Sequence, residues 1–133
     1  MLTASEDKTA KIWNASTGDC IQTLIGHIDF VRECVFSQDG GAVLTASDDT
    51  AKIWNTSTGD CIQTPSGHTE FVNYAVFSQD GRTVLTASDD CTAKIWNAST
   101  GDCTQTLRGH TDSVQSVVFS PGGGDVLTAS YEP

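Results

Sequence analysis

The chain repeats a set of four residue types whose chemistry could, in principle, activate a nucleophile. Each full set holds a histidine, a threonine, an aspartate and a tryptophan. The full sets are His27, Thr45, Asp49 and Trp54, followed by His68, Thr86, Asp90 and Trp96. Partial sets are Thr3, Asp7 and Trp13, and His110 with Thr128. A hydroxyl, an imidazole and a carboxylate are the parts of a nucleophilic triad. An active site is normally unique, so the repetition argues against catalysis, and we expect no enzyme activity.

Five cysteines and three histidines raise the question of a disulfide framework or a metal site. Cys20, Cys61 and Cys103 occupy one position of a repeated segment, whereas Cys34 and Cys91 are isolated. None belongs to a Cys-x-x-Cys pair, and the histidines are spread one per repeat. We therefore expect reduced thiols that pack as small apolar groups, with no metal and no cofactor.

These residues are positioned by an internal repeat of about 41 residues. The Gly-His pairs at 26–27, 67–68 and 109–110 are 41 and then 42 residues apart, and Trp13, Trp54 and Trp96 keep the same spacing. The segment Thr-Ala-Lys-Ile-Trp-Asn occurs at 9–14, 50–55 and 92–97. The repeat therefore covers the whole chain, and each unit must be one structural element.

Each unit predicts four short β-strands separated by turns, and no segment has helical periodicity of adequate length. In the second unit we predict strands at 30–36, 42–47, 50–55 and 61–65, with glycine in the turn after the first strand. A four-stranded antiparallel sheet of this size cannot bury both faces alone and must stack on its neighbours. The sequence therefore predicts an all-β fold of stacked propeller blades.

The Gly-His pair, the Phe-Ser-x-Asp-Gly turn, the Ser-x-Asp-x-Thr turn and the Trp-Asn pair together resemble the WD-repeat β-propeller family. The resemblance implies that the repeated histidine, threonine, aspartate and tryptophan form a structural hydrogen-bond network inside each blade. Every unit has Trp-Asn where the family's name implies Trp-Asp. The second unit also lacks one residue before Thr50, which leaves Asp48-Asp49 as a two-residue turn. Such a turn favours positive φ at both residues, so we expect the second blade to be the weakest.

Comparison of the units predicts the blade boundaries. Residues 1–24 form a partial blade that lacks its first strand, 28–65 and 69–107 form full blades, and 111–133 form a partial blade of two strands. This is an incomplete propeller arc of about three blades. We expect either a fragment of a longer protein, which we favour, or a homo-oligomer in which the strand near 113–119 of one copy completes the first blade of another.

The charge balance excludes two classes of partner. Lys and Arg number 7 against 17 Asp and Glu, for a formal net charge of −10, so neither nucleic acid nor an anionic membrane is expected to bind. The N-terminal residues carry neither a basic start nor an apolar run, and no segment is apolar enough to span a bilayer. We expect a cytoplasmic protein.

The resemblance also implies a binding face at the end of the propeller where partners dock. The positions that map to it flank a repeated valine or precede a turn aspartate, and they are Phe30, Arg32, Phe71, Asn73, Ser113, Gln115, Glu6, Asp48 and Asp89. Aromatic residues and arginine are frequent interface anchors, and the acidic residues nearby favour a basic protein or peptide. We expect a non-catalytic protein-interaction scaffold. The alternative is a sensor or autoinhibitory segment of a larger signalling enzyme.

Overall fold

The computed structural model of the chain describes residues 1–48 and 50–131, and within these ranges it contains thirteen β-strands and no helix. The all-β prediction is confirmed. The strands are β1 (Leu2–Ala4), β2 (Thr9–Trp13), β3 (Cys20–Ile25), β4 (Glu33–Phe36), β5 (Ala42–Ser47), β6 (Thr50–Asn55), β7 (Cys61–Gln63), β8 (Val72–Phe77), β9 (Thr83–Ser88), β10 (Ala93–Asn97), β11 (Cys103–Leu107), β12 (Val114–Phe119) and β13 (Val126–Ser130).

The described strands form four antiparallel sheets in chain order. The first sheet contains β1 to β3, the second β4 to β7, the third β8 to β11, and the fourth β12 and β13. Each strand pairs with the next strand in sequence, so short turns connect the strands of every sheet. A register shift lies immediately before Trp13, Trp54 and Trp96, where each pairs with the last strand of its sheet.

Two strands of the second sheet are shorter than the pattern predicted. The prediction that its first strand starts at residue 30 is wrong, because the backbone N–H of Val31 donates to the carbonyl of Ser5 in the first sheet, at 3.1 Å. That segment therefore joins two sheets, and β4 begins at Glu33. The last strand ends at Gln63 instead of residue 65, because Pro65 has no N–H to continue the ladder. Strands β5 and β6 have the predicted bounds.

The hydrophobic core lies between the sheets, which stack face to face. Between the first and second sheets it contains Ala10, Ile12 and Leu24 packed with Val31, Val43 and Trp54. Equivalent residues fill the next two gaps: Leu44, Ala46, Ile53, Val72, Val84 and Trp96, and then Leu85, Ala87, Ala93, Val114 and Val117. Burial of one such Leu or Val side chain stabilises the fold by about 1.5–3 kcal/mol. Each sheet therefore depends on its neighbours for its core.

In each of the turns that precede Thr9, Thr50 and Thr92, at least one described non-glycine residue has left-handed backbone. Lys8 has φ 75°, Asp48 has φ 48° and Cys91 has φ 72°. At the described residues, left-handed backbone is thus common to all three turns. Asp49, the other residue of the strain prediction, lies outside the described residues.

Candidate functional site

Hydrogen bonds connect the four residues of the repeated set in series in the third sheet. Asp90 Oδ2 lies 2.8 Å from Nδ1 of His68, and Nε2 of His68 lies 2.7 Å from Oγ1 of Thr86. The indole N–H of Trp96 donates to the same Thr86 oxygen at 2.9 Å. The imidazole meets the indole edge-on, with ring centroids 6.0 Å apart. Residues separated by up to 28 positions in sequence are therefore held together within one sheet.

The hydroxyl of this series is inaccessible to a substrate. Thr86 is fully buried, and Trp96 and His68 are 1% and 4% exposed. A nucleophile must approach a substrate carbonyl closely, which this packing prevents. Leaving a buried polar group unpaired costs about 1–3 kcal/mol, and the series satisfies the imidazole, the hydroxyl and the indole together. The arrangement can therefore stabilise the sheet but offers no route to acyl transfer.

Two opposing effects act on the carboxyl of Asp90. Burial raises its pKa, but hydrogen bonds from Thr92 and His68 outweigh that effect and hold the pKa below its ordinary value. The Thr92 hydroxyl donates to Oδ1 at 2.5 Å, and the backbone N–H of Thr69 donates to Oδ2 at 3.2 Å. The ionised carboxylate therefore accepts bonds from the turn and orients the imidazole.

The second sheet has the same central contacts. Nε2 of His27 lies 2.5 Å from Oγ1 of Thr45, and the indole N–H of Trp54 donates to that oxygen at 2.8 Å. Burial lowers the pKa of His27 to about 4, with a smaller contribution from the charge of Lys52, so this imidazole is neutral at pH 7. Asp49, the predicted carboxylate of this set, lies outside the described residues.

The end sheets each contain part of the set. In the first sheet the indole N–H of Trp13 donates to Thr3 Oγ1 at 2.8 Å. Asp7 is exposed in the adjacent turn, where it accepts a bond from the Thr9 hydroxyl at 2.6 Å that lowers its pKa. In the fourth sheet, Nε2 of His110 lies 2.7 Å from Oγ1 of Thr128.

The predicted binding residues flank three buried valines, Val31, Val72 and Val114. We call the surface formed by Phe30, Arg32, Asp48, Phe71, Asn73 and Asp89 the loop face. The structure brings Arg32 and Phe71 together, with the guanidinium carbon 4.3 Å from the ring centroid. Phe30, two residues before Arg32 in sequence, is 45% exposed. The loop face therefore presents two aromatic rings and one cation across the second and third sheets.

Hydrogen bonds hold the loop face to the neighbouring sheets. The Asn73 amide donates to Asp89 Oδ1 at 2.7 Å and to the carbonyl of Val114 in the fourth sheet at 3.1 Å. The backbone N–H of Val72 donates to the carbonyl of Asp48 at 2.6 Å, and the N–H of Asp89 donates to the carbonyl of Phe71 at 2.9 Å. Sequence reasoning placed Asn73 and Asp89 on this face but missed that they bond each other.

The remaining predicted positions lie farther along the stack. Glu6 is exposed in the turn of the first sheet that corresponds to Asp48 and Asp89. Ser113 and Gln115 are half-buried around Val114, at the start of β12. None of the hydrogen bonds described for the chain joins these side chains to Arg32 or Phe71. Their membership of the binding face therefore stays a prediction.

The surroundings of the loop face are acidic. The carboxylates at or next to it are Asp29, Glu33, Asp48, Glu70, Asp89 and Asp112. Burial raises the pKa of Glu33, although a hydrogen bond from the backbone of Cys34 opposes that effect. Arg32 contributes a cation to the loop face, and its guanidinium lies over the ring of Phe71.

A second set of bridges between sheets escaped the sequence analysis. The side-chain amide of Gln22 donates to the carbonyl of Ser57 at 2.8 Å, and that of Gln63 donates to the carbonyl of Ser99 at 2.6 Å. A Cβ on Gly59 or Gly101 would lie 2.7 or 2.8 Å from these amide oxygens. The glycines of the Ser-Thr-Gly-Asp turns therefore allow the close approach, and a Gln at one repeated position was the available signal.

The cysteines, the metal-ligand residue types and the membrane-spanning potential of the chain were also assessed in the described residues. The five cysteines are free thiols, and burial, followed by the charge of Glu33, raises the pKa of Cys34 to about 11. Across residues 1–48 and 50–131, no group of three or more His, Cys, Asp or Glu side chains is arranged to hold a metal ion. The same residues include no helix of the length and hydrophobicity needed to cross a membrane.

Comparison with known proteins finds the same three-fold repetition as the sequence and the sheets. The family model described as WD domain, G-beta repeat matches residues 18–55, 59–97 and 101–132. An uncharacterized WD repeat-containing protein of Schizosaccharomyces pombe is 45% identical over 47 residues, which are 35% of this chain and 13% of that protein. Nuclear distribution protein PAC1 of Coccidioides posadasii is 48% identical over 40 residues, 30% of this chain and 8% of that protein. The matches thus span about a tenth of these relatives.

Proposed function

Because the chain belongs to the WD-repeat family, we propose that it is a non-catalytic platform that binds a basic protein segment through the loop face. WD repeats generally mediate protein–protein interaction, and WD-repeat proteins are typically scaffolds without enzyme activity. The single observation that carries the proposal for this chain is the stacking of Arg32, which follows the exposed Phe30 by two residues, on the ring of Phe71.

Arg32 and Phe71 are the residues of the loop face that we expect to anchor the partner. Aromatic and arginine side chains contribute a disproportionate share of binding free energy when a partner desolvates them. Arg32 is already ordered over Phe71, so less side-chain entropy remains to be lost on binding. The hydrogen bonds that tie Asn73 to Asp89 and Val114 hold the surrounding backbone in place.

The acidic residues at and near the loop face are the reason for proposing a basic partner. Asp48 and Asp89 belong to the loop face, acidic residues adjoin Phe30, Arg32 and Phe71 in sequence, and the whole chain carries a formal net charge of −10. An acidic surface attracts a basic partner, which accelerates their association, and it repels acidic proteins that would compete for the same surface. Salt screens both effects. The same charge supports the exclusion of nucleic acid and of anionic membranes. We also propose a cytoplasmic location, since exposed free thiols such as Cys20, Cys61 and Cys103 persist in a reducing compartment.

The test uses peptides of equal length that carry net positive, zero or net negative charge, with binding measured by fluorescence anisotropy at low and high salt. We expect the positive peptides to bind most tightly and to lose affinity as salt increases. Phe30→Ala should weaken that binding about tenfold, the loss of a typical anchor. Ile62→Ala is the matched control, because Ile62 is 54% exposed on β7, away from the loop face.

Two outcomes would contradict the proposal. One is a preference for the acidic peptides. The other is an equal response of the Phe30→Ala and Ile62→Ala variants to the basic peptides, which would mean that the loop face does not contact them.

A further inference from the structure

A cavity of about 170 Å³ opens next to Asp48, one of the residues of the loop face. The described residues on its walls include His27, Ile28, Ser47, Asp48 and Lys52, and we call it the Asp48 cavity. These residues belong to the second sheet, to its turn or to the segment that leads into it. A cavity of about 150 Å³ can hold a benzene-sized molecule. The Asp48 cavity therefore has room for one side chain of a partner that binds the loop face.

The charges on the walls favour an uncharged occupant. Among the described wall residues, the charged side chains are the ammonium of Lys52 and the carboxylate of Asp48. The imidazole of His27 is neutral at pH 7, because burial and then the charge of Lys52 lower its pKa to about 4. Lys52 would repel a cationic side chain, Asp48 would repel an anionic one, and either would lose hydration on entry. A primary carboxamide is neutral and has both a donor and an acceptor, so it can pair with both walls.

Two donors on the walls lack a full set of acceptors. The Ser47 side chain is buried, and its hydroxyl has no partner among the described residues. The equivalent Ser88 of the third sheet donates to the carbonyl oxygen of Glu70 at 3.1 Å. Lys52 donates to Thr64 Oγ1 at 3.0 Å, which uses one of the N–H groups of its ammonium. The carbonyl oxygen of a carboxamide would supply these donors with an acceptor.

The third sheet contains an example of a carboxamide bound at the position of Asp48. There the side-chain amide of Asn73 donates to Asp89 Oδ1 at 2.7 Å. In the second sheet Arg32 takes the place of Asn73, and its guanidinium lies over the ring of Phe71. No hydrogen bond among the described residues involves the Asp48 carboxylate. A carboxamide from outside the chain could therefore make at Asp48 the bond that Asn73 makes at Asp89.

Ile28 gives the cavity an apolar wall that the other repeats lack. Its side chain is 81% exposed, and the equivalent positions hold Thr69 and Thr111. Thr69 is exposed as well, so exposure belongs to this position of the repeat. A side chain with an aliphatic stem and a polar head can cover apolar surface while its head makes hydrogen bonds. Glutamine has the longer stem of the two carboxamide side chains and is the better fit.

We propose that the Asp48 cavity binds the side chain of a glutamine in the basic segment that contacts the loop face. The amide N–H groups of the glutamine donate to Asp48, and its carbonyl oxygen accepts from Ser47 and Lys52. Its methylene groups cover Ile28. This occupant deepens the proposed function, on which it rests, by naming one residue that the partner carries at the loop face.

The experiment uses basic peptides that differ at one position, which holds Gln, Glu, Lys or Leu. That position is moved along the peptide, and the net charge is kept equal by changes at the ends. Binding to the whole chain is measured by fluorescence anisotropy. At the position that reaches the cavity, we expect the Gln peptide to bind about tenfold more tightly than each of the others. Ser47→Ala should reduce that preference to about threefold, and this variant should still fold because the lost hydroxyl has no partner among the described residues.

Two further variants separate recognition from stability. Ser88→Ala is the matched control, because it removes the equivalent hydroxyl of the third sheet, which bonds to Glu70. It should lower the urea midpoint and leave the preference for Gln unchanged. Asp48→Asn leaves Lys52 as the charged side chain among the described wall residues, so the Glu peptide should then bind at least as tightly as the Gln peptide. Asparagine tolerates the left-handed backbone of this position, where φ is 48°.

The outcomes distinguish this proposal from the proposed function. Equal binding of the Gln, Glu and Leu peptides would overturn the glutamine site and leave the basic-segment platform standing. A preference for the Lys peptide, or an equal loss of preference in Ser47→Ala and Ser88→Ala, would overturn the glutamine site as well. Failure of every basic peptide to bind would overturn both proposals.

Discussion

Replacement of the central hydroxyl of the third sheet should cost a large part of the stability of the fold. Thr86→Val keeps the shape of the side chain but removes the oxygen that accepts a bond from Trp96 and contacts His68. Both partners are almost fully buried and cannot turn to water. Each unpaired group costs about 1–3 kcal/mol, so we expect a loss of about 2–5 kcal/mol. A typical domain is stable by only about 5–15 kcal/mol.

Urea unfolding followed by tryptophan fluorescence measures this loss. With a slope of about 2 kcal/mol per molar urea, a loss of about 2–5 kcal/mol should lower the midpoint of Thr86→Val by about 1–2.5 M. The control is Thr83→Val, because Thr83 is half-buried on the same strand, and in the described contacts its hydroxyl joins neither His68 nor Trp96. That variant should change stability by less than about 0.5 kcal/mol. If the two variants lost equal stability, the structural role of the network would be refuted.

Three further changes test individual features of the stack. Thr56→Ala should stabilise the chain by up to about 1 kcal/mol in the same urea assay, because the Thr56 hydroxyl is buried without a partner among the described residues; a loss of stability would contradict this. Cys91→Gly should raise the melting temperature, with a gain of about 0.5–1 kcal/mol, because Cys91 has φ 72°; an unchanged or lower value would refute the strain. Burial lowers the pKa of His27 to about 4, so stability should be constant above pH 6.5 and fall between pH 6.5 and 4 as the unfolded state takes up the proton. His27→Gln should reduce the fall in the urea midpoint over that interval, and an identical fall in both proteins would exclude His27 as its source.

The repeat predicted the sheets well because its signals are local. The bounds of β5 and β6 follow from apolar runs that end at turn residues, and each unit repeats those signals. The two errors at strand ends have causes outside the strand itself. Val31 bonds to Ser5 of another sheet, and that contact depends on how the sheets stack. Pro65 was visible in the sequence, and its missing N–H predicts an earlier end for β7.

Contacts between sheets were harder to predict than contacts within them. The stacking of Arg32 on Phe71 and the bond from Gln22 to Ser57 join residues 39 and 35 positions apart. Their geometry depends on the rotation and offset between successive sheets, which the pattern of one repeat does not contain. The resemblance to the family therefore sufficed to predict the residues of the loop face, whereas the pairing of their side chains depends on how the sheets stack.

The most direct test of the central claim is an NMR titration of the isotopically labelled chain with the tightest-binding basic peptide. We predict that amide shifts concentrate at Phe30, Arg32 and Phe71 and that they shrink as salt increases. Shifts concentrated instead at Ile21 and Ile62, on the exposed strands β3 and β7, would contradict the claim that the loop face is the binding surface.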